Sequence, residues 1–124
     1  MNNSFIILSM IFLHIIDDFF LQIPWLATGK QKSMWEEKAP DTLYKYDYLC
    51  ALIIHAFSWS FMIMLPVAFS MNFNVTAFFV YILIINMAVH AAIDNLKANK
   101  KLINLWIDQI AHLFQIILTA LLFL

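Results

Sequence analysis

Arginine is absent from these 124 residues, and glycine and cysteine occur once each. A solitary Cys50 excludes a disulfide-stapled secreted scaffold. Seven lysines against eight acids give a net charge of −1, so no basic face exists to grip nucleic acid. Charge of either sign is scarce: 12% of residues are charged, where a soluble domain carries about 25%. What fills the chain instead is apolar, at 64% hydrophobic residues. A globule of this size has too much surface for its volume to hide that much oil from water. The same composition excludes disorder. The solvent it suits is a bilayer.

A spanning helix needs about 20 mostly apolar residues, and four such stretches are present. They lie near Phe5–Trp25, Tyr48–Met71, Val75–Asn95 and Leu102–Leu124, and together predict a single all-α integral-membrane domain over residues 1–124, a polytopic four-helix bundle. The first stretch is no convincing signal peptide. It lacks a basic leader, and it holds His14, Asp17 and Asp18 inside its apolar run. Pro24 is expected to end or kink that helix, and Pro66 to bend the second. The short Asn72-Phe73-Asn74 turn makes spans two and three antiparallel neighbours.

All seven lysines fall in two loops: Lys30, Lys32, Lys38 and Lys45 after span one, and Lys97, Lys100 and Lys101 between spans three and four. With four spans these loops share a side, which the positive-inside rule makes cytoplasmic, with both termini non-cytoplasmic. The protein is thus expected in an inner or cytoplasmic membrane. In the first loop, Ser33-Met34-Trp35-Glu36 fits a capping box that would start a short interfacial helix before Pro40. Trp25, Trp35, Tyr44, Tyr46, Tyr48 and Trp106 fall at the same boundary, as an aromatic belt would.

The informative residues are those that do not belong in oil. An acid at the centre of a span costs about 2.5–3.5 kcal/mol on insertion scales, so something must offset it. Residues four apart on a helix share a face. His14, Asp18 and Gln22 make one such stripe. Asn86, His90, Asp94 and Lys97 make a second, and Asn104, Asp108, His112, Gln115 and Thr119 a third. Span two adds His55 among Ala51, Ser58 and Met62. Counted inward at 1.5 Å per residue, His55, His90, Asp108 and Asp18 all lie about 10 Å from the lysine-rich boundary, with His14 and His112 about one turn deeper. Four polar edges at one level are expected to face each other, leaving hydrocarbon outside.

A divalent cation would neutralise the acids and coordinate the imidazoles. The expected donors are His14, Asp18, His55, His90, Asp94, Asp108 and His112. Nitrogen and oxygen donors without thiolate suit zinc, with iron or manganese behind it, and seven donors are enough for two ions. Gln22, Asn86, Asn104 and Gln109 are candidates to orient those donors. Asp17 stands one residue off its stripe, facing span two, span four or a wet crevice. Without a metal, the same side chains would fasten the helices by His–Asp hydrogen bonds.

The motifs His14-x-x-x-Asp18-Phe19-x-x-Gln22, His90-x-x-x-Asp94-x-x-Lys97 and Asp108-Gln109-x-x-His112 resemble a bacterial and phage family of small polytopic membrane proteins catalogued as a domain of unknown function. The resemblance spans nearly the whole chain. It implies a short, single-domain membrane protein and no particular substrate.

Three functions of different classes fit. The first is a metal-dependent hydrolase of a lipid or lipid-linked substrate, with Asp18 or Asp108 as base and Lys97 receiving an anionic group. A di-iron oxidase ranks below it, and a bis-histidine haem bundle is weakened by acids four residues from most histidines. The second is a metal or proton transporter, disfavoured by the almost wholly apolar stretches Phe61–Phe69 and Phe78–Ile85. The third is a non-enzymatic protein that binds a membrane partner or a second copy of itself. The partner common to all three is membrane lipid.

Overall fold

The computed structural model describes residues 2–124. Among these residues there is no strand, and four helical segments are long and apolar enough to cross a membrane: Asn3–Leu21, Thr42–Ser70, Ala77–Ala98 and Leu105–Phe123. The helices are α1 (Asn3–Ile16, prolonged by a π-helical turn over Asp17–Leu21), α2 (Pro24–Gly29), α3 (Lys32–Lys38), α4 (Asp47–Ser70), α5 (Ala77–Ala98) and α6 (Leu105–Phe123). Helix α4 is central, packing on α1, α5, α2, α3 and α6.

The bundle is inside out. Its exterior carries Phe12, Phe57, Ile53, Tyr81, Ile84, Phe114 and Leu121, while its interior buries four histidines and three aspartates. Such a surface fits hydrocarbon, not water. One half of the interior is ordinary apolar packing around Met10, Ile63, Met64, Val67 and Ile116. The other half is polar.

Local chemistry explains the helix ends. The side chains of Asn2, Thr76 and Asn104 accept hydrogen bonds from the first turns of α1, α5 and α6, satisfying amides that have no partner within the helix. Helix α4 closes with the amide of Phe73 donating to the carbonyl of Ala68 at 2.7 Å. Asn72 and Phe73 there adopt left-handed φ angles of 52° and 58°, giving the tight return to α5 that the short turn predicts. Helix α4 continues through Pro66 without interruption.

Two differences from the sequence expectation concern the first loop. Span one does not run to Trp25. Its α-helical part ends at Ile16, the π turn closes with the amide of Gln22 on the carbonyl of Asp17, and α2 begins afresh at Pro24. Proline supplies the break, since it forces the preceding Ile23 to be extended and fits the first position of a new helix. The short helix expected at Ser33 is present, but it starts at Lys32 behind Gln31 and no side chain caps it. The proposed capping box is therefore not formed.

Helix α2 folds back onto α4 at Gly29, the only glycine. A β-carbon placed there would meet the Ala51 β-carbon at 3.4 Å, and the Gly29 carbonyl accepts the Trp35 indole N–H at 2.9 Å. Alanine is tolerated at that spacing. Gly29→Leu, by contrast, is expected to push α2 off α4 and cost about 1–3 kcal/mol, the usual penalty of overpacking. Thermal unfolding in detergent measures it, and an unchanged midpoint would mean that α2 does not need its close contact with α4.

Candidate metal centre

Each of the four long apolar helices brings part of one polar layer. Helix α1 contributes His14, Asp17 and Asp18, α4 contributes His55, Ser58 and Trp59, α5 contributes His90 and Asp94, and α6 contributes Asp108, Gln109 and His112. The π turn of α1 explains how two adjacent acids enter together. Neighbouring positions on an α-helix diverge by about 100°, whereas the extra residue of a π turn lets both face inward. Such single turns recur at functional sites. Asp17 is 1% exposed and turns toward span two, where its Oδ1 accepts the Ser58 hydroxyl at 2.5 Å.

The carboxylates share a pattern. Each has one oxygen held by a non-histidine neighbour and the other aimed at an imidazole, and the held oxygens of Asp18 and Asp94 also face His14 and His55. Asp18 Oδ2 accepts Gln109 Nε2 at 3.3 Å, while Oδ1 lies 3.3 Å from His55 Nε2. Asp108 Oδ2 accepts Lys97 Nζ at 2.5 Å and Gln109 Nε2 at 3.1 Å, while Oδ1 lies 3.4 Å from His112 Nε2. Asp17 Oδ2 stands 3.6 Å from His55 Nδ1. Asp94 Oδ2 accepts Lys30 Nζ at 2.5 Å and faces His55 Nε2 at 3.5 Å. Its Oδ1 faces His112 Nε2 at 3.5 Å and His90 Nε2 at 3.8 Å.

None of these imidazole–carboxylate contacts closes into a hydrogen bond. The inward oxygens Asp17 Oδ2, Asp18 Oδ1 and Asp108 Oδ1 are buried without a partner, and so are both ring nitrogens of His90 and of His112. Orphaned buried polar atoms normally cost about 1–3 kcal/mol each. Their spacing supplies a reason. Donors about 2.0–2.1 Å from one tetrahedral ion stand about 3.3–3.4 Å from each other, close to the separations observed. Two sets of donors are compact enough to hold an ion: Asp18, His55 and His90, and His90, Asp94 and His112.

His14 belongs to the layer but is engaged through both nitrogens. The Trp59 indole N–H donates to His14 Nδ1 at 2.7 Å, which leaves the proton on Nε2 to be donated to Gln109 Oε1 at 3.1 Å. Trp59 also stacks on His90, with ring centroids 4.2 Å apart, and His90 stacks on His112 at the same distance. One indole thereby orients two imidazoles. Of the residues expected to orient the donors, Gln109 does so directly and Gln22 acts through Lys30, accepting its Nζ at 2.7 Å. Asn104 caps α6 instead. Asn86 lies deeper, joined to Gln115 and Thr119 across the α5–α6 interface.

Lys30 and Trp59 are the members of the site that sequence reasoning missed. Lys30 stands among loop lysines, yet α2 returns it to the layer, where it is 5% exposed. Asn99 clamps it there by accepting the Lys32 amide at 2.7 Å and donating to the Lys30 carbonyl at 3.0 Å. The signal available was Gly29, a lone glycine immediately before it. Trp59 carried none, being one apolar aromatic among many.

A cavity of about 220 Å³ opens onto the layer from the lysine-rich end. It is lined by Asp18, Gln22, Lys30, His55, Asp94, Lys97 and Gln109, together with Phe19 and Leu105. The donors Asp108, His90 and His112 lie behind it. Such an arrangement can hold a cation at its floor and admit a small polar group.

No curated protein and no solved structure matches the chain. A family model does match, over residues 6–124, and the chain accordingly belongs to the family described as Protein of unknown function (DUF3307).

Proposed function

We propose that this is an integral membrane protein that binds a divalent cation, zinc before iron or manganese, near the cytoplasmic face and uses it to hydrolyse a lipid or lipid-linked substrate. The observation that carries the reading is the set of inward oxygens and imidazole nitrogens left without partners at the spacing of metal ligands. The ligands proposed are Asp18, His55, His90, Asp94, Asp108 and His112, with His14 as an outer support through Gln109 and Trp59. The positive-inside rule puts the lysine-rich end in the cytoplasm and both termini outside.

A bound cation lowers the pKa of its water to about 7 and polarises the scissile group. Of the two acids considered as base, Asp18 is the better placed, because it lines the cavity and Asp108 does not. Lys97, one-third exposed at the rim, suits an anionic headgroup. Hydrolysis is favoured over transport by the apolar packing that fills the other half of the bundle, which offers an ion few polar steps onward.

The test is metal analysis of the detergent-purified protein, followed by release of product from labelled phospholipid and lipid-linked phosphate. His90→Ala and Asp108→Ala are expected to lower both metal content and turnover while the protein still inserts. Absence of metal under all loading conditions would favour the partner-binding function instead. Gln109→Ala gives a graded version. It removes the contact to His14, Asp18 and Asp108 together, and loss of such supporting hydrogen bonds typically weakens metal affinity about 10–100-fold. A zinc titration against a competing chelator reads it, and undiminished affinity would show that Gln109 does not set the donors.

A further inference from the structure

Building on the metal reading above, we infer that the layer holds two cations bridged by Asp94, one open to the cavity and one closed. Asp94 is the residue placed to bridge them. Its two oxygens face different imidazoles, Oδ2 toward His55 and Oδ1 toward His112 and His90. Asp18 also divides its oxygens, between His55 and His14, but His14 is engaged through both nitrogens, which leaves Asp94 as the carboxylate between imidazoles that have no hydrogen bond. The remaining acids fall on opposite sides of it: Asp18 Oδ1 sits on His55 at 3.3 Å, and Asp108 Oδ1 sits on His112 at 3.4 Å. The two compact donor sets share only His90, whose ring is nearer to that of His112, at 4.2 Å, than to that of His55, at 5.0 Å.

The donors therefore divide unequally. Around His55 stand Asp18 Oδ1 at 3.3 Å and Asp94 Oδ2 at 3.5 Å, and all three residues line the cavity. Asp94, Asp108, His112 and His90 form a set of four, and apart from Asp94 none of them does. Three protein ligands with an open position is the usual form of a catalytic zinc site, and four protein ligands the usual form of a structural one. The closed ion holds α5 and α6 together, and the open ion meets whatever enters.

Charge indicates the ligand that a second cation calls for. Asp17, Asp18, Asp94 and Asp108 carry four negative charges and Lys30 and Lys97 two positive ones, so with neutral imidazoles the frame is doubly negative. One divalent cation neutralises it. Two leave the floor of the cavity positive, a site for hydroxide together with an oxyanion such as a phosphate ester.

Zinc content by mass spectrometry and electron paramagnetic resonance of the manganese-loaded protein test the inference. Wild type is expected to bind two equivalents and to show a spin-coupled manganese pair. Asp108→Asn is expected to retain one equivalent with the spectrum of an isolated ion, and inorganic phosphate to perturb the wild-type spectrum. One equivalent in wild type, or two without coupling, overturns the bridged pair and leaves the metal reading standing. No bound metal overturns both. The wild-type measurement decides the matter even if Asp108→Asn does not fold.

Discussion

Asp94→Ala is expected to destabilise the protein by about 3–5 kcal/mol, the cost of breaking a buried ion pair from one side. Both partners are buried: the Lys30 side chain is 6% and that of Asp94 3% exposed, with Nζ and Oδ2 2.5 Å apart. Removing the carboxylate strands an ammonium whose other acceptor is the neutral Gln22 amide. The double variant Lys30→Met/Asp94→Ala removes both charges and fills much of the space with an apolar chain, so it is expected to recover most of the loss. It should not recover metal, because Asp94 is gone. Unfolding in mixed micelles measures the first quantity and mass spectrometry the second. A double variant no more stable than the single one would mean that the stranded charge is not the source of the penalty. Lys97→Met provides a comparison. Lys97 is 32% exposed, but its partner Asp108 is fully buried and keeps only the Gln109 amide on that oxygen. The expected cost is about 1–3 kcal/mol.

The Lys30 pair also marks where sequence reading reaches its limit. His90, Asp94, Asp108 and His112 were legible because α5 and α6 are regular α-helices through these positions, so a four-residue spacing translates directly into one face. His55 was legible by depth alone. Asp17 was not, because a helical wheel assumes 3.6 residues per turn and the chain departs from it at that acid. Lys30 was hidden for a different reason. Charge counting assigns a lysine beyond the end of a span to the surface, and only the backfolding of a six-residue helix against Ala51 reverses that. Asn86 shows the opposite error. It shares a face with His90 one turn away, yet its amide is consumed by Thr119 and Gln115. Periodicity selects a face but does not choose among partners on it. The four spans needed no such detail, since length and hydropathy alone decide whether a helix suits a bilayer.

Free zinc at about 1,000 times its dissociation constant is expected to stabilise wild type by about 4.1 kcal/mol per occupied site over the metal-free protein, and His90→Ala, which loses a ligand, by correspondingly less. His90 is the discriminating position because it is fully buried, has no hydrogen bond on either nitrogen, and packs against both Trp59 and His112. If the layer were merely a set of imidazolium–carboxylate fasteners, His90→Ala would lower stability and zinc would change neither protein. If it is a metal centre, the two proteins differ in their slope against zinc, whatever the variant costs on its own. The slope separates a lost ligand from a lost packing contact, which a single melting temperature cannot do. Acid provides an internal check of sign. Protons compete with zinc for the imidazoles and carboxylates, so the zinc-dependent gain should shrink as pH falls. Fasteners made of protonated imidazoles would strengthen over the same range for as long as the carboxylates stay ionised. A stabilisation that grows on mild acidification and ignores zinc would identify hydrogen-bonded ion pairs as what holds the four helices at this level.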